Sequence, residues 1–404
     1  MMIEPKLRFK ADDGSDFPDW ESTTVGELFT FVTEKNESGR ISDVITNSAE
    51  HGLIPQREYF DKDIAVEGNT EGYTVIHKGD FVYNPRKSTI APFGPFNIYE
   101  RDEVGIVSPL YTCLTPRDGE TAPYLSWYFK TSRWHRYIVT HGAQGGARHD
   151  RVGMTNALMK GIPVMLPSLP EQRKIADLLS AVDDVISAQE AEVAAWEKRK
   201  KGVMQKLFSQ EVRFKADDGS DFPDWEEKTL GDVGSVAMCK RVFKEQTREV
   251  GDVPFFKIGT FGDVPDAYIS KSLFDELKSK YAYPKVGTIL LSASGTIGRQ
   301  VEYNGEDAYY QDSNIVWLEH DDTVLDSYLK QFYSVVKWQG LEGSTIKRLY
   351  NKTILDTPFY RPSLPEQRKI AECLALLDDV IAKAKDELDA WRELKKGLLQ
   401  QMFV

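Results

Sequence analysis

"PSLPEQRKIA", Pro167–Ala176, returns letter for letter at Pro362–Ala371. Each copy opens a long run with a helical period. Pro170 and Pro365 fall in what would be the first helical turn, where the missing N–H of proline is harmless. Glu171 and Glu366 follow, where the helix dipole favours a carboxylate. Apolar residues then recur at steps of four and three: Ile175, Leu179, Val182, Ile186, Val193, Trp196, Val203 and Leu207. The second run gives Ile370, Leu374, Leu377, Ile381, Leu388, Trp391, Leu398 and Met402. A seam kept for more than four heptads predicts a coiled coil. Gln189 interrupts the first seam where Ala384 stands in the second, and Lys200 and Lys395 interrupt both at matching places. Matched interruptions suit two helices that pair with each other, antiparallel if the halves are related by a two-fold.

A second repeat lies upstream of each helix. "RFKADDGSDFPDW" occupies Arg8–Trp20 and, unchanged, Arg213–Trp225, at an offset of 205 residues, whereas the helices are offset by 195. The chain is therefore two half-repeats of about 200 residues, and the first variable region is the longer. The predicted organisation is a shared segment over 1–20, a variable domain over 21–165, a shared helix over 166–211, a second shared segment and variable domain over 212–360, and a last shared helix over 361–404. Within the variable regions, "GYTVIHKGDFVYNP" (Gly72–Pro85) and "VGTILLSASG" (Val286–Gly295) read as short strands broken by glycine and proline. "APYLSWYFKTSRWHRYIV" (Ala122–Val139) and "DSYLKQFYSVVKWQG" (Asp326–Gly340) carry helical spacing. Each region predicts a compact α+β domain.

The 404 residues leave room for two or three domains. No apolar run is long enough to span a bilayer, and "MMIEPKLRFK" has no apolar signal core. Cys113, Cys239 and Cys373 are isolated and odd in number, so neither a disulfide framework nor a Cys-x-x-Cys metal site is expected. Export and a membrane role are not expected; a cytoplasmic setting is. The net charge of −12 opposes the basic footprint of a nucleic-acid binder. Part of it is local, however, because each copy of the thirteen-residue segment holds four aspartates against two basic residues.

No catalytic set emerges. "YNPRKS" (Tyr83–Ser88) resembles the Asn-Pro-Pro-aromatic motif of amino-methyltransferases, but Arg86 stands at the second proline, and no Gly-rich cofactor turn follows a strand elsewhere. "DDGSD" (Asp12–Asp16) fails the calcium-loop spacing and reads as a tight turn with aspartate capping. His135, His141 and His149 lack ligand spacing, which favours a surface or nucleic-acid role over a metal.

What remains points to a reader. Basic residues interleaved with glycine and aromatics cluster in both variable regions. The candidates are Arg86, Lys87, Arg133, Arg136, Gln144, Arg148, His149 and Arg151 in the first, and Thr296, Arg299, Gln300, Lys347 and Arg348 in the second. Glycine-rich loops let backbone N–H groups approach phosphates. Arginine and lysine can read guanine edges, and glutamine can read adenine. Arg299 could instead brace its own turn or pair with Glu302.

The alternation of variable domains with helices opened by "PSLPEQRKIA", together with the "W…T(V/L)G(E/D)" start of each domain, resembles the specificity (S) subunits of type I restriction-modification enzymes. "GDFVYNP", "SGTIGR" and "QDSNIVWL" (Gln311–Leu318) match more weakly. The resemblance spans essentially the whole chain. It implies an α+β fold with two target recognition domains separated by two long antiparallel coiled-coil helices. It also implies a non-catalytic subunit that reads a split target in double-stranded DNA. Two methyltransferase (M) subunits with S-adenosylmethionine and restriction (R) subunits with ATP and Mg would be its partners, with no cofactor in this chain. Residues 8–20 would meet the last helix and complete a pseudo-two-fold, circular arrangement. A coiled-coil adaptor joining two protein-binding domains, without DNA, is the alternative that the acidic charge favours.

Overall fold

The computed structural model describes residues 5–59, 70–142, 150–338 and 348–404. Two helices dominate it, Leu169–Phe208 with 40 residues and Leu364–Met402 with 39. The chain divides into one unit of residues 1–190 with 386–404 and another of residues 191–385. Each unit holds one variable domain and parts of both helices.

Within each unit the helix parts run antiparallel, as their cross-pairs require. In the first, Lys395 pairs with Asp183, Gln189 donates to Glu387 at 3.1 Å, and Arg392 donates to Glu190 at 2.7 Å. In the second, Lys200 pairs with Asp378, and Lys385 lies 2.6 Å from Glu197. The two lysines that interrupt the apolar seam are thus its cross-links, each meeting the first aspartate of the "DD" within the other helix. Ile175, Leu179, Val182 and Ile186 are buried, as are Ile370, Leu374 and Ile381. Trp196, Val203, Leu377, Trp391 and Leu398 of the expected seam are only half-buried. Met204 is buried rather than Val203, because the end of this helix turns its last rungs onto the second domain's core beside Trp225 and Tyr328.

Each variable domain begins and ends in a two-stranded antiparallel ribbon. Glu21–Thr24 pairs with Pro163–Leu166, and Glu226–Thr229 pairs with Pro358–Arg361. Inside, the first domain has a four-stranded sheet in the order Phe29–Phe31, Thr112–Pro116, Phe81–Tyr83, Phe96–Ile98. The second has the same order in Gly234–Ala237, Ile315–His320, Ile289–Ser292, Gln300–Glu302. A further sheet in each carries one parallel pair, Val44–Ser48 with Gly105–Val107 and Val253–Phe256 with Tyr309–Tyr310. The two domains therefore share a topology that their sequences hide.

Strand alternation makes the four-stranded sheet a middle layer. Phe81, Tyr83 and Leu114 face the helices, while Val82 and Cys113 face the further sheet. Ile289, Leu291, Val316 and Leu318 face one way in the second domain, and Leu290, Ile315 and Trp317 face the other. A strand buried on both faces reads as a continuous apolar run, which is why "FVY" and "ILL" show no alternation.

One titration should report on the second unit. His320 Nε2 lies 3.2 Å from Asp326, and Nδ1 lies 2.8 Å from the Asp321 carbonyl. The Asp326 contact holds the imidazolium and raises its pKa above the ordinary value. This stabilisation is complete below the unfolded value of about 6.5 and is lost as pH rises through the higher folded value. Chemical denaturation is expected to show that unit losing stability as pH rises through this window. His320→Gln should remove the slope.

Candidate nucleic-acid interface

The identical thirteen-residue segments build the base on which each domain stands. Arg8 reaches Glu171 with Nε at 3.1 Å and Nη2 at 2.9 Å, and Trp20 Nε1 donates to the same carboxylate at 3.1 Å. Arg213, Glu366 and Trp225 repeat this at 3.0, 2.8 and 2.9 Å. Both glutamates are fully buried. The "DDGSD" stretch between Arg and Trp is a tight turn, in which Ser15 donates to Asp13, and Gly14 has φ +85°. Lys174 ties that turn to the helix through Asp12 at 2.5 Å, and Lys369 does so through Asp217 at 2.6 Å. Gln172 and Gln367 hold the chain entering their helix, at the carbonyls of Pro167 and Pro362. The Glu, Gln and Lys of "PEQRK" are thereby accounted for. The first unit also joins the chain's ends, since Leu7 N donates to Gln401 O at 3.0 Å and Phe403 packs on Tyr124.

In the first domain the structure brings Arg86, Lys87 and Arg151 together. Arg86 and Arg151 form a bridge, Lys87 N donates to Asp150 O, and Val152 N donates to Pro85 O. Arg86 and Lys87 are exposed. Gln144, Arg148 and His149 lie outside the described residues. Arg133 Nη2 donates to the Gln400 carbonyl at 2.6 Å, and Arg136 is exposed on the helix His135–His141. His135 stacks near Phe93, and His141 stacks on Tyr137. Asn84 of "YNPR" is buried and bound on both sides, donating to Asn47 O at 3.1 Å and accepting from Arg86 N at 3.0 Å. It links the two sheets, with its amide and its carbonyl oxygen both engaged.

The same unit holds a cleft of 780 Å³ lined by Lys130, Arg133, Arg392, Lys395 and Lys396, with no carboxylate among its lining residues. Burial, and then the neighbouring Lys395, lower the pKa of Lys130. Asp183 meets both lysines, paired with Lys395 and 3.8 Å from Lys130, while Arg392 is paired with Glu190 and Lys396 with Glu393.

In the second domain "SASGTIGR" is a self-bonded turn. Ser292 Oγ donates to the Thr296 carbonyl, Arg299 N donates to Ser292 Oγ at 2.9 Å, and Ser292 N donates to Arg299 O at 2.9 Å. Gly298 has φ +80°, and an added Cβ would lie 2.9 Å from Trp338 Nε1. Thr296 is exposed at the tip. Arg299 Nη1 donates to Phe261 O at 2.8 Å, while Glu302 pairs with Lys330 instead. The Gln300 amide lies against Ser334 of the helix Asp326–Val335. Arg348 Nη2 donates to Ser313 O at 2.7 Å, and Leu349 N donates to Ala293 O at 2.8 Å. Lys347 lies outside the described residues. Arg348–Leu349 thus meets the end of its strand as Arg151–Val152 does in the first domain. Arg241, which sequence reading passed over, lies beside this group with Nε 2.8 Å from Asp312.

Among the described residues no group of three or more His, Cys, Asp or Glu could hold a metal ion. Cys113 and Cys239 are buried, which pushes each thiol up to about 12. Among those residues no helix is long and apolar enough to cross a membrane.

These features define an internally duplicated recognition chain, with two domains of one topology carried on matched clasps. The family of the type I restriction modification DNA specificity domain matches residues 18–195 and 223–390, and the chain belongs to that family with two copies of the domain. The family serves DNA sequence recognition in restriction-modification complexes and is not catalytic. The chain is 44% identical over 231 residues to a putative type I restriction enzyme specificity subunit of Haemophilus influenzae, covering 56% of this chain and 59% of that one. The chain thus spans little over half of that relative. It is 24% identical over 420 residues to the putative MjaX specificity subunit of Methanocaldococcus jannaschii, covering 98% and 95%. The solved S subunit of the type I system from M. genitalium shares its fold at a TM-score of 0.57 and 16% identity, covering 100% and 99%.

Proposed function

We propose that the chain reads a bipartite target in double-stranded DNA, one half with each variable domain, and docks two methyltransferase subunits and the restriction subunits onto it. The observation that carries this reading is the pairing of identical clasps with unlike loops on one topology. The clasps keep the base of each domain alike, while the loops at the ends of equivalent strands differ in chemistry. In this reading Arg86, Lys87 and Arg151 belong to the reading surface of residues 21–165, and Thr296, Arg299 and Arg348 to that of residues 226–360. S-adenosylmethionine, ATP and Mg act on the partner subunits, in the cytoplasm.

Arg299 tests the reading surface. Its Nη1 donates to Phe261 O, which steadies the guanidinium and leaves Nε and Nη2 with donors of their own. Arg299→Ala is expected to relax one position of one half-site if the side chain reads a base, and to weaken binding across all sequences with a salt dependence flatter by about one unit if it meets phosphate. Affinity measured over a salt series, with melting temperature alongside, checks this. A folded variant with unaltered binding at every salt concentration removes Arg299 from the surface.

A further inference from the structure

The turn between the last two sheet strands has the same length in both domains. Ser108–Tyr111 separates Gly105–Val107 from Thr112–Pro116, and Gln311–Asn314 separates Tyr309–Tyr310 from Ile315–His320. The residues are Ser-Pro-Leu-Tyr in the first domain and Gln-Asp-Ser-Asn in the second. One place in a shared topology thus carries unlike chemistry.

In the second domain the turn is held by two arginines. Arg241 Nε lies 2.8 Å from Asp312 Oδ2, and Arg348 Nη2 lies 2.7 Å from the Ser313 carbonyl. Asn314 Oδ1 accepts from Ser294 Oγ at 2.9 Å, which joins the turn to the "SGTIGR" loop. Ser313 has φ +55°, a left-handed conformation that L residues rarely adopt. Such strain persists where its surroundings impose it, and it gathers at binding sites.

The two arginines are engaged differently. Arg348 spends a terminal nitrogen on Ser313. Asp312 takes the inner nitrogen of Arg241, so the terminal NH₂ pair is not used in that bond. The Asp312 side chain is 18% exposed and that of Arg241 is 59% exposed. A shielded carboxylate that fixes Nε of an exposed arginine aims a planar fork outward. That fork matches O6 and N7 of guanine in the major groove. A surface pair of this kind adds little stability, so the folded core does not account for it.

We propose that Arg241 reads a guanine in the half-site of the second domain and that Asp312 is its positioning residue. This rests on the reading of the chain as a DNA-recognition subunit. The Gln311–Asn314 turn and Arg348 form the platform. The first domain has Pro109 and Leu110 at the corresponding turn and reads different chemistry there.

The test selects duplexes from a randomised pool with the full-length chain bound to methyltransferase subunits, then sequences them. Arg241→Ala is expected to relax one guanine of one half-site by roughly ten- to hundredfold, with the other half-site unchanged. Arg241→Lys keeps the charge and the Asp312 pair but loses the fork, so it should relax the same position. It also covers the case in which the alanine variant fails to fold. Asp312→Asn should relax that position more weakly. Uniform loss of affinity with a flatter salt slope would make Arg241 a phosphate contact and overturn the proposal. Folded variants with an unchanged motif would overturn it while leaving DNA recognition intact. If the wild-type complex selects no sequence, the reading of the chain fails first, and the proposal with it.

Discussion

Glu366→Ala is expected to destabilise the unit of residues 191–385 by about 3–5 kcal/mol, the range for breaking one side of a buried ion pair. The Glu366 carboxylate has no solvent exposure and satisfies three donors, two from Arg213 and one from Trp225. Alanine would leave the guanidinium only Asp224 at 3.6 Å and the Phe222 and Pro223 carbonyls, beside an indole N–H without an acceptor. The Arg213 side chain keeps 23% exposure and can recover some water, so the lower end of that range is the expected figure. Glu171→Ala should act alike on the other unit, because Arg8 at 20% exposure and Trp20 repeat the geometry. Urea denaturation followed by tryptophan fluorescence measures the effect. A double-mutant cycle with Arg213→Ala isolates the coupling. A loss below about 1 kcal/mol, the size of a surface pair, would show that the clasp does not hold the domain base.

The clasp also shows how much of this molecule is legible in its sequence. The repeat announced that Arg8–Trp20 and "PEQRK" matter, and the heptads announced two paired helices. The repeat did not say that Arg8 and Trp20 close on Glu171, because 163 and 151 residues separate them along the chain. Lys200 and Lys395 read as faults in a seam because their aspartates lie on the other helix. The shared topology of the two domains was hidden for a different reason. Their middle sheet is buried on both faces, and such strands lose the alternation that sequence reading relies on. At the candidate site, basic clusters pointed to particular loops but could not separate exposed side chains from committed ones. Arg133, Arg299 and Arg348 each donate to a backbone carbonyl. Arg241 was passed over because "CKRVFK" contains no glycine-rich loop, and only the fold carries it to Asp312.

Exchange of residues 21–165 for the matching region of a relative is expected to replace one half of the methylated motif and leave the other half unchanged. The ribbon makes the exchange feasible. Glu21–Thr24 and Pro163–Leu166 pair through backbone groups, so a foreign strand can close the same ladder. The identical clasp lies outside the exchanged region, on Arg8, Trp20 and Glu171, and it would receive the new domain unaltered. Some packing must be re-formed, because Tyr124 and Tyr128 press on Phe403. A relative with aromatic residues at those two positions is the appropriate donor. Each base of the lost half-site should then cease to contribute its discrimination of about 1–3 kcal/mol, and the donor's bases should take over. Single-molecule mapping of methylated sites, in cells that express the hybrid with its methyltransferase subunits, reads both halves at once. If both halves change in a folded hybrid, the two domains do not read independently. If neither half changes, recognition lies outside residues 21–165, and the loops of Arg86 and Arg151 have another role.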